Sequence, residues 1–594
     1  MSLTPSFAEG LQSLLRERRY TFRTEASGLS PSSSRSRILS EMTADAGVLE
    51  ITARRLRKEY NAHQPLVATL PPEILSSIFQ ICAETERPLP PYNLRARGLF
   101  ESRLYRGIAR EAEHDIDAGG EFEEPSWISG RRGSLGYIAL SHVCTHWRNV
   151  MLGYTALWTE DIGALPDALP TVLSRAGPVL PLTMRLYGST YRRDNSGVWD
   201  ALSVNGGTLA RRVKALYWVE TREGYLERKF FARLPTYPFA SLEKLVIWAH
   251  ECAGFPATAQ PPTLMAPRLR VADLTNVACN STSTSLTELS IRTTWASLEM
   301  DFDPWVLERH DLRAILQAHS LSLTSLYLDL HVSADPPSDE TSMEFSQLHK
   351  MYLRDHSLGG GRPASLLSGI SYPASAVSYI HLEQGQWPDD PSELVYLFDI
   401  LRQSGTTAPH GLAIIEERVR RAHDDIDTMS VLLRFYTEPA ITLSTNVDSD
   451  LFGRGTHRLS LRLDYDEHLA IDTLLQTLSR CIPASGVKIL SYTSSGFCDT
   501  CRVKSGMLMG HFSAVRTLHI EDPHIGGIVP ALGRLRDARC MPGLERLWLT
   551  RSNTSGGHIL SRSVLATYLR SRYGQSRGSI GFGAPARLKE LRVG

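Results

Sequence analysis

Residues 323–328 read LTSLYL, and residues 348–353 read LHKMYL. Both follow the order apolar-x-x-apolar-x-apolar. The last two apolar positions are two residues apart, which is the spacing of a strand with one buried face. The same order recurs in VKALYW from Val213, LEKLVI from Leu242, LRVADL from Leu269 and LTELSI from Leu286. It returns in VSYIHL from Val377, VKILSY from Val487, VRTLHI from Val515, LERLWL from Leu544 and LKELRV from Leu588. Many intervals are about 25–30 residues, while others are shorter or nearly double. The gaps hold stretches with helical spacing: WVLERHDLRAILQAH (305–319), SELVYLFDILRQ (392–403), LAIDTLLQTLSR (469–480) and RSVLATYLRSR (562–572).

A single strand-and-helix unit cannot bury the apolar face of its strand alone. Stacked neighbours bury it for one another, which gives an elongated core and a long lateral surface suited to holding a protein. A strand plus a helix at this period is the leucine-rich-repeat signature. The Asn or Cys that the consensus places after the strand is mostly missing, and the spacing is uneven. The expected fold class is therefore α/β. An irregular leucine-rich-repeat-like solenoid should occupy residues 163–594, behind a small all-α N-terminal unit.

Composition narrows the function classes. Across 594 residues Lys+Arg is 64 and Asp+Glu is 64. A neutral balance argues against nucleic acid or an acidic membrane as partner, since both call for a basic excess. The apolar share of 42% supports a sizeable core. The eight cysteines are scattered, with only Cys498 and Cys501 close together, which suits a reducing compartment. No apolar run reaches the roughly 18 residues of a membrane span. Glu9, Glu17 and Glu25 argue against a transit peptide in the Arg/Ser-rich N-terminus. The expected location is the cytoplasm or nucleus.

Residues 1–38 read as a flexible arm with one short amphipathic stretch at Phe7, Leu11, Leu14 and Leu15. Residues 39–65 form a heptad-patterned helix: Leu39, Met42, Ala46, Leu49, Ala53, Leu56 and Tyr60 alternate by three and four. Two readings of this seam stay open. It packs on its own domain, or it forms a short coiled coil through residues 39–60 that gives a homodimer. LPPEILSSIFQIC then begins at Leu70. Proline is favoured in the first turn of a helix, and Ile74, Leu75, Ile78, Phe79 and Cys82 recur at helical spacing. ALSHVCTHWRNVMLGYTALW (139–158) is a second apolar helical segment. Between them, about 86–135, Pro, Gly and mixed charge suggest an extruded, mobile insertion.

The Leu-Pro start, the Ile-Leu/Ile-Phe helix, the VCTHWR segment and the closing Leu-Trp together resemble an F-box. The form is that of the large F-box families of mushroom-type fungi (basidiomycetes). The helix-to-strand sequence LPDALPTVLSRAGPVLPLTMRLYG (165–188) and the upstream heptad helix are similar to that family as well. The resemblance places an F-box-like domain at residues 66–162, interrupted by the insertion. It implies a non-catalytic substrate receptor of an SCF-type (Skp–cullin–F-box) ubiquitin ligase. The box would dock a Skp-family adaptor, and through it a cullin, and the solenoid would bind an unknown protein substrate. By match, the adaptor-binding candidates are Leu70, Pro71, Ile74, Leu75, Ile78, Phe79, Val143, Trp147, Leu157 and Trp158. The alternative is a repeat-based interaction scaffold not engaged in ubiquitination.

No catalytic, cofactor-binding or metal-ligating set is expected. GQSRG from Gly574 matches G-x-S-x-G, but a helical stretch precedes Ser576 where a nucleophile elbow needs a strand. Cys498 and Cys501 have metal-ligand spacing, yet His511 and His519 do not complete a zinc knuckle. His142 and His146 are four apart on a helix, where they flank the packing residues Val143 and Trp147. The SRSR stretch at 34–37 lacks the interleaved aromatics of an RNA-binding segment.

Overall fold

The computed structural model describes residues 5–28, 31–63, 70–88, 134–187, 196–220, 236–249, 261–293, 306–332, 343–355, 370–373, 375–383, 411–420, 427–436, 457–465, 485–494, 512–521, 541–550, 570 and 588–593. The chain divides into two units. One comprises residues 1–89, 134–158 and 174–177, and the other holds the remainder.

The first unit is helical. Helices α1 (Pro5–Gly28) and α2 (Pro31–His63) form a hairpin across the stretch read as a flexible arm and heptad helix. Arg18 Nε lies 2.7 Å from Asp45 Oδ2, and its guanidinium lies 3.8 Å from Glu41. Helix α3 (Pro72–Thr85) follows, with proline in its first turn and Glu73 beside the positive end of its dipole. The chain returns through a 3-10 turn at Gly136–His142, then α4 (Thr145–Gly153) and α5 (Thr155–Trp158). The Cys144 thiol caps α4 by accepting from the Trp147 amide at 3.5 Å.

The expected insertion at 86–135 lies largely outside the described residues, but its two ends meet. The Tyr137 amide donates to the Glu86 carbonyl at 2.7 Å. The close approach requires glycine at 136, where φ is +54° and a Cβ would sit 2.4 Å from the Arg87 carbonyl carbon. An insertion of any length is accommodated this way, since closure entropy grows only slowly with loop length.

The second unit is an α/β solenoid. Its strands are β1 (Leu182–Tyr187), β2 (Val213–Glu220), β3 (Lys244–Ala249), β4 (Thr263–Leu264), β5 (Val271–Thr275), β6 (Asn280–Ser281) and β7 (Glu288–Arg292). Next come β8 (Val306–Leu307), β9 (Ser325–Val332), β10 (Met343–Glu344), β11 (Lys350–Asp355), β12 (Ile370–Ser371), β13 (Val377–Glu383) and β14 (Gly411–Arg420). Last are β15 (Asp427–Tyr436), β16 (His457–Tyr465), β17 (Ile489–Ser494), β18 (Thr517–Glu521), β19 (Arg546–Thr550) and β20 (Glu590–Val593). Helix α6 (Leu169–Ala176) precedes β1 in the chain, and α7 (Ser196–Arg212) and α8 (Arg309–His319) lie between strands. Of the four stretches with helical spacing, 305–319 contains α8. The stretches at 392–403 and 469–480, and 562–572 apart from Arg570, lie outside the described residues.

One sheet runs through the unit in the order β1-β2-β3-β5-β7-β9-β11-β13-β16-β15-β14-β17-β18-β19-β20, with β8 joined to β9. All eleven repeated fragments contribute a strand to it. Neighbours are parallel except around β15, which is antiparallel to both β14 and β16.

The register explains the repeat. Leu245, Ala272, Leu289, Leu326 and Met351 align across β3, β5, β7, β9 and β11, and Ile247, Leu274, Ile291, Leu328 and Leu353 align beside them. All ten are at most 4% exposed. The entry leucines Leu242, Leu269, Leu286, Leu323 and Leu348 are buried as well. The second residue of each fragment does a backbone job that its side chain does not reveal. The carbonyls of Glu243, Arg270, Thr287 and Thr324 each accept from two successive amides of the next turn, and those of Lys488, Arg516 and Glu545 do the same. Equivalent turns therefore start at equivalent heights.

The fragment at Val377 departs from this phase. Met351 pairs with Ser378 and Leu353 with Ile380, so Val377 faces outward and is 40% exposed. Its apolar letters match the pattern two residues out of register.

Candidate interaction surfaces

The helices of the first unit hold a compact core. Leu75, Phe79 and Met151 are fully buried, and Leu157 and Trp158 are nearly so. Phe79 meets Trp147 edge to face with ring centroids 5.4 Å apart. The polar ends of the buried aromatics are satisfied: the Trp158 indole donates to the Met151 carbonyl at 2.9 Å, and the Tyr137 hydroxyl to the Leu157 carbonyl at 3.2 Å. Arg175 lies over the Trp158 ring at 4.4 Å.

This packing divides the ten candidate docking residues. Leu75, Phe79, Trp147, Leu157 and Trp158 are core, so their primary role is to hold the helices together. Leu70 and Ile78 are half-buried, and Pro71, Ile74 and Val143 are exposed. Helix α3 accordingly carries two apolar faces. Leu75, Phe79 and Ala83, four residues apart, face the core. Ile74, Ile78 and Ile81, spaced four and three, form a second stripe, and Ile74 is 50% and Ile81 62% exposed. Ile81 belongs to this stripe although the sequence match did not single it out. Its signal was helical spacing from Ile74 and Ile78. Glu73, Ser77, Gln80 and Glu84 occupy the remaining face and are exposed. An apolar stripe beside a polar rim is the composition of a docking surface.

His146 is held within the first unit. Its Nε2 is hydrogen-bonded to the Leu70 carbonyl at 3.0 Å, tying α4 to the entry of α3. Among the described residues no group of three or more His, Cys, Asp or Glu could hold a metal ion. Cys498, Cys501, His511 and Ser576 lie outside the described residues.

The second surface is the outward face of the solenoid sheet. Tyr327, Tyr352 and Tyr379 align on β9, β11 and β13. The first pair stacks at 4.1 Å with rings 1° apart, and the second at 4.8 Å with rings 12° apart. Arg292 lies over the free side of Tyr327 at 4.4 Å. Two residues along, Arg292 pairs with Asp273 at 3.6 Å and Arg354 with Asp329 at 3.9 Å. Burial, with the Asp329 carboxylate adding and Arg292 opposing, pushes the Tyr327 phenol up to about 12. Tyr352 is raised further, by burial and then by its neighbours Tyr327 and Asp329. Tyr327 and Tyr352 therefore present neutral phenols at any physiological pH. That chemistry suits contact with another protein.

One pair in the solenoid has the elements of a nucleophile and base. Ser491 Oγ lies 2.9 Å from His519 Nδ1 on adjacent strands. The two residues are 5% and 6% exposed, which closes them to a substrate, and burial pushes the His519 imidazole down to about 4. Cys279 is buried and its thiol is raised to about 12, the condition of an inert structural cysteine. Among the described residues no helix is long and apolar enough to cross a membrane.

No protein-family model matches the chain, and a search of the curated proteins finds no match.

Proposed function

We propose that this chain is a non-catalytic substrate receptor of an SCF-type ubiquitin ligase. The F-box-like helices dock a Skp-family adaptor, and through it a cullin, while the solenoid binds a target protein. The observation that carries the reading is the double face of α3. One face is sealed into a core by Leu75, Phe79 and Ala83, and the other leaves Ile74, Ile78 and Ile81 in a stripe at the surface. A helix that served only its own small core would have no need of the second stripe. The motif order from Leu70 to Trp158 supports the same reading. So does the parallel-strand solenoid, an architecture that offers a long surface to a protein. The contribution to ubiquitin transfer is proximity, because the receptor holds the target near the transferring enzyme.

The test is reconstitution. Purified chain, Skp-family adaptor and cullin–RING are mixed and resolved by size exclusion. Co-elution of all components supports the reading. Elution of the chain apart from the adaptor at micromolar concentration would leave a repeat-based scaffold in its place.

A further inference from the structure

We propose that the α1–α2 hairpin is a self-association module, in which α2 pairs antiparallel with α2 of a second copy of this chain. Among its described residues the hairpin has no core of its own. None of its described side chains is buried. Leu39, Met42, Leu49 and Leu56, the large residues of the heptad seam, are 41–55% exposed. Leu14 and Leu15 on α1 are 58% and 48% exposed, and Val48 and Ile51 on α2 are 63% and 53% exposed. Among the described residues, an exposed ion-pair cluster of Arg18 with Asp45 and Glu41 joins the two helices. Pairs of that kind contribute little and do not hold a helix of 33 residues in place.

The spacing says what shape covers the seam. Apolar residues alternating by three and four from Leu39 to Leu56 fit knobs into the holes of another straight helix with the same period. Among the described residues, α1 already lies along the Asp45 side and leaves the seam bare. The next longest helix is α7, at 17 residues. A second α2 matches the seam in length and period.

Charge decides the direction. On α2, Glu41, Asp45 and Glu50 lie in one half and Arg54, Arg55, Arg57 and Lys58 in the other, with Arg35, Arg37 and Glu59 the exceptions; Glu41 and Glu50 also pair along the helix with Arg37 and Arg54. Side by side in parallel, two copies would set acid against acid and base against base. Antiparallel, each acidic half faces a basic one. With α1 of each copy alongside, the product is a four-helix bundle that buries the exposed leucines. This inference does not depend on the ligase reading.

The experiment uses the full-length chain, with sedimentation velocity over a hundredfold concentration range. The expected species is twice the 66.1 kDa monomer. Met42→Glu with Leu49→Glu should weaken the dimer at least a hundredfold. Both positions are exposed in the monomer, so helicity by circular dichroism should hold. Arg54→Glu with Arg57→Glu should weaken it at least tenfold, because both halves become acidic. In a parallel pair that reversal exchanges one like-charge contact for another and changes little. A chain that is monomeric at every concentration overturns the proposal, as does a dimer indifferent to the Met42/Leu49 pair. A dimer broken by that pair but indifferent to the Arg54/Arg57 reversal overturns the antiparallel arrangement.

Discussion

Asp161→Asn should open the first turn of the solenoid and leave the last turns closed. Asp161 Oδ1 lies 2.6 Å from Arg185 Nε, with side chains only 1% and 8% exposed. The Arg185 guanidinium also lies over the Tyr217 ring at 4.0 Å, joining β1 to β2. Removing one member of a buried pair leaves the other charge uncompensated, at a cost of about 3–5 kcal/mol. At about 1.4 kcal/mol per decade, that multiplies local opening by roughly 10² to 10³ or more. A solenoid turn touches mainly its neighbours, so the loss should stay near β1 and β2. Amide hydrogen exchange measures this directly. The amides of residues 182–187 and 213–220 should exchange at least a hundredfold faster, and those of 517–521 and 546–550 at their former rate. Replacing both partners, Asp161→Asn with Arg185→Met, should recover much of the protection, because no charge is then left alone. Uniform acceleration along the chain would refute the nearest-neighbour picture. Unchanged exchange at β1 would refute the role of the ion pair.

Three further outcomes follow from the same packing. Gly163 has φ +89°, and a Cβ there would meet Leu186 Cδ2 at 2.9 Å and the Arg185 carbonyl at 3.1 Å, so Gly163→Ala should lower the melting temperature and destabilise the chain by more than about 1 kcal/mol. Phe79→Ala should cost about 3–5 kcal/mol in the helical unit, read as loss of near-ultraviolet dichroism from Trp147 and Trp158. His519 is held below its unfolded value, so the unfolded chain takes up the proton first as pH falls; stability should drop between about pH 6.5 and 4 by on the order of 2–3 kcal/mol, and His519→Gln should flatten that slope in melts across the interval.

Much of the solenoid was legible because its determinant is local. Each turn must bury three residues at fixed offsets, and those letters can be read in one fragment at a time. The pattern breaks where a turn fills its core differently. At β13 the apolar letters of VSYIHL point to a phase in which Val377 is core, but the register follows Tyr379, which stacks on Tyr352 while Ser378 turns inward. Strands β14 to β16 were missed altogether. They form a three-stranded antiparallel meander with no entry leucine, and the antiparallel β15 breaks the one-strand-per-turn rule. Tertiary pairing across more than forty residues decided that region, and no short window contains it.

The docking candidates show a different limit. Helix α3 is apolar over a wide arc, so spacing alone puts Ile74, Leu75, Ile78 and Phe79 in one set. The partner helix separates them. Trp147 packs on Phe79, Leu75 is sealed in the same core, and Ile74 and Ile81 stay exposed. Periodicity reports that a face is apolar, and packing decides whether the chain itself covers it. The meeting of Glu86 with Tyr137 belongs to the same class, because nothing in the fifty residues between the two halves announces that their ends touch.

Docking of a Skp-family adaptor on the isoleucine stripe of α3 is the step on which the proposed function rests. The most direct measurement is a calorimetric titration of the purified adaptor into the full-length chain and into its Ile74→Glu/Ile81→Glu variant. Both positions are at least half exposed, so the variant should melt within a few degrees of the parent. Each half-covered isoleucine is worth about 1 kcal/mol on docking, and burying two carboxylates costs more. The account predicts a dissociation constant in the micromolar range or tighter for the parent and at least a hundredfold weakening in the variant. A folded variant that binds with the parent's affinity, or a parent that binds no adaptor, would contradict it.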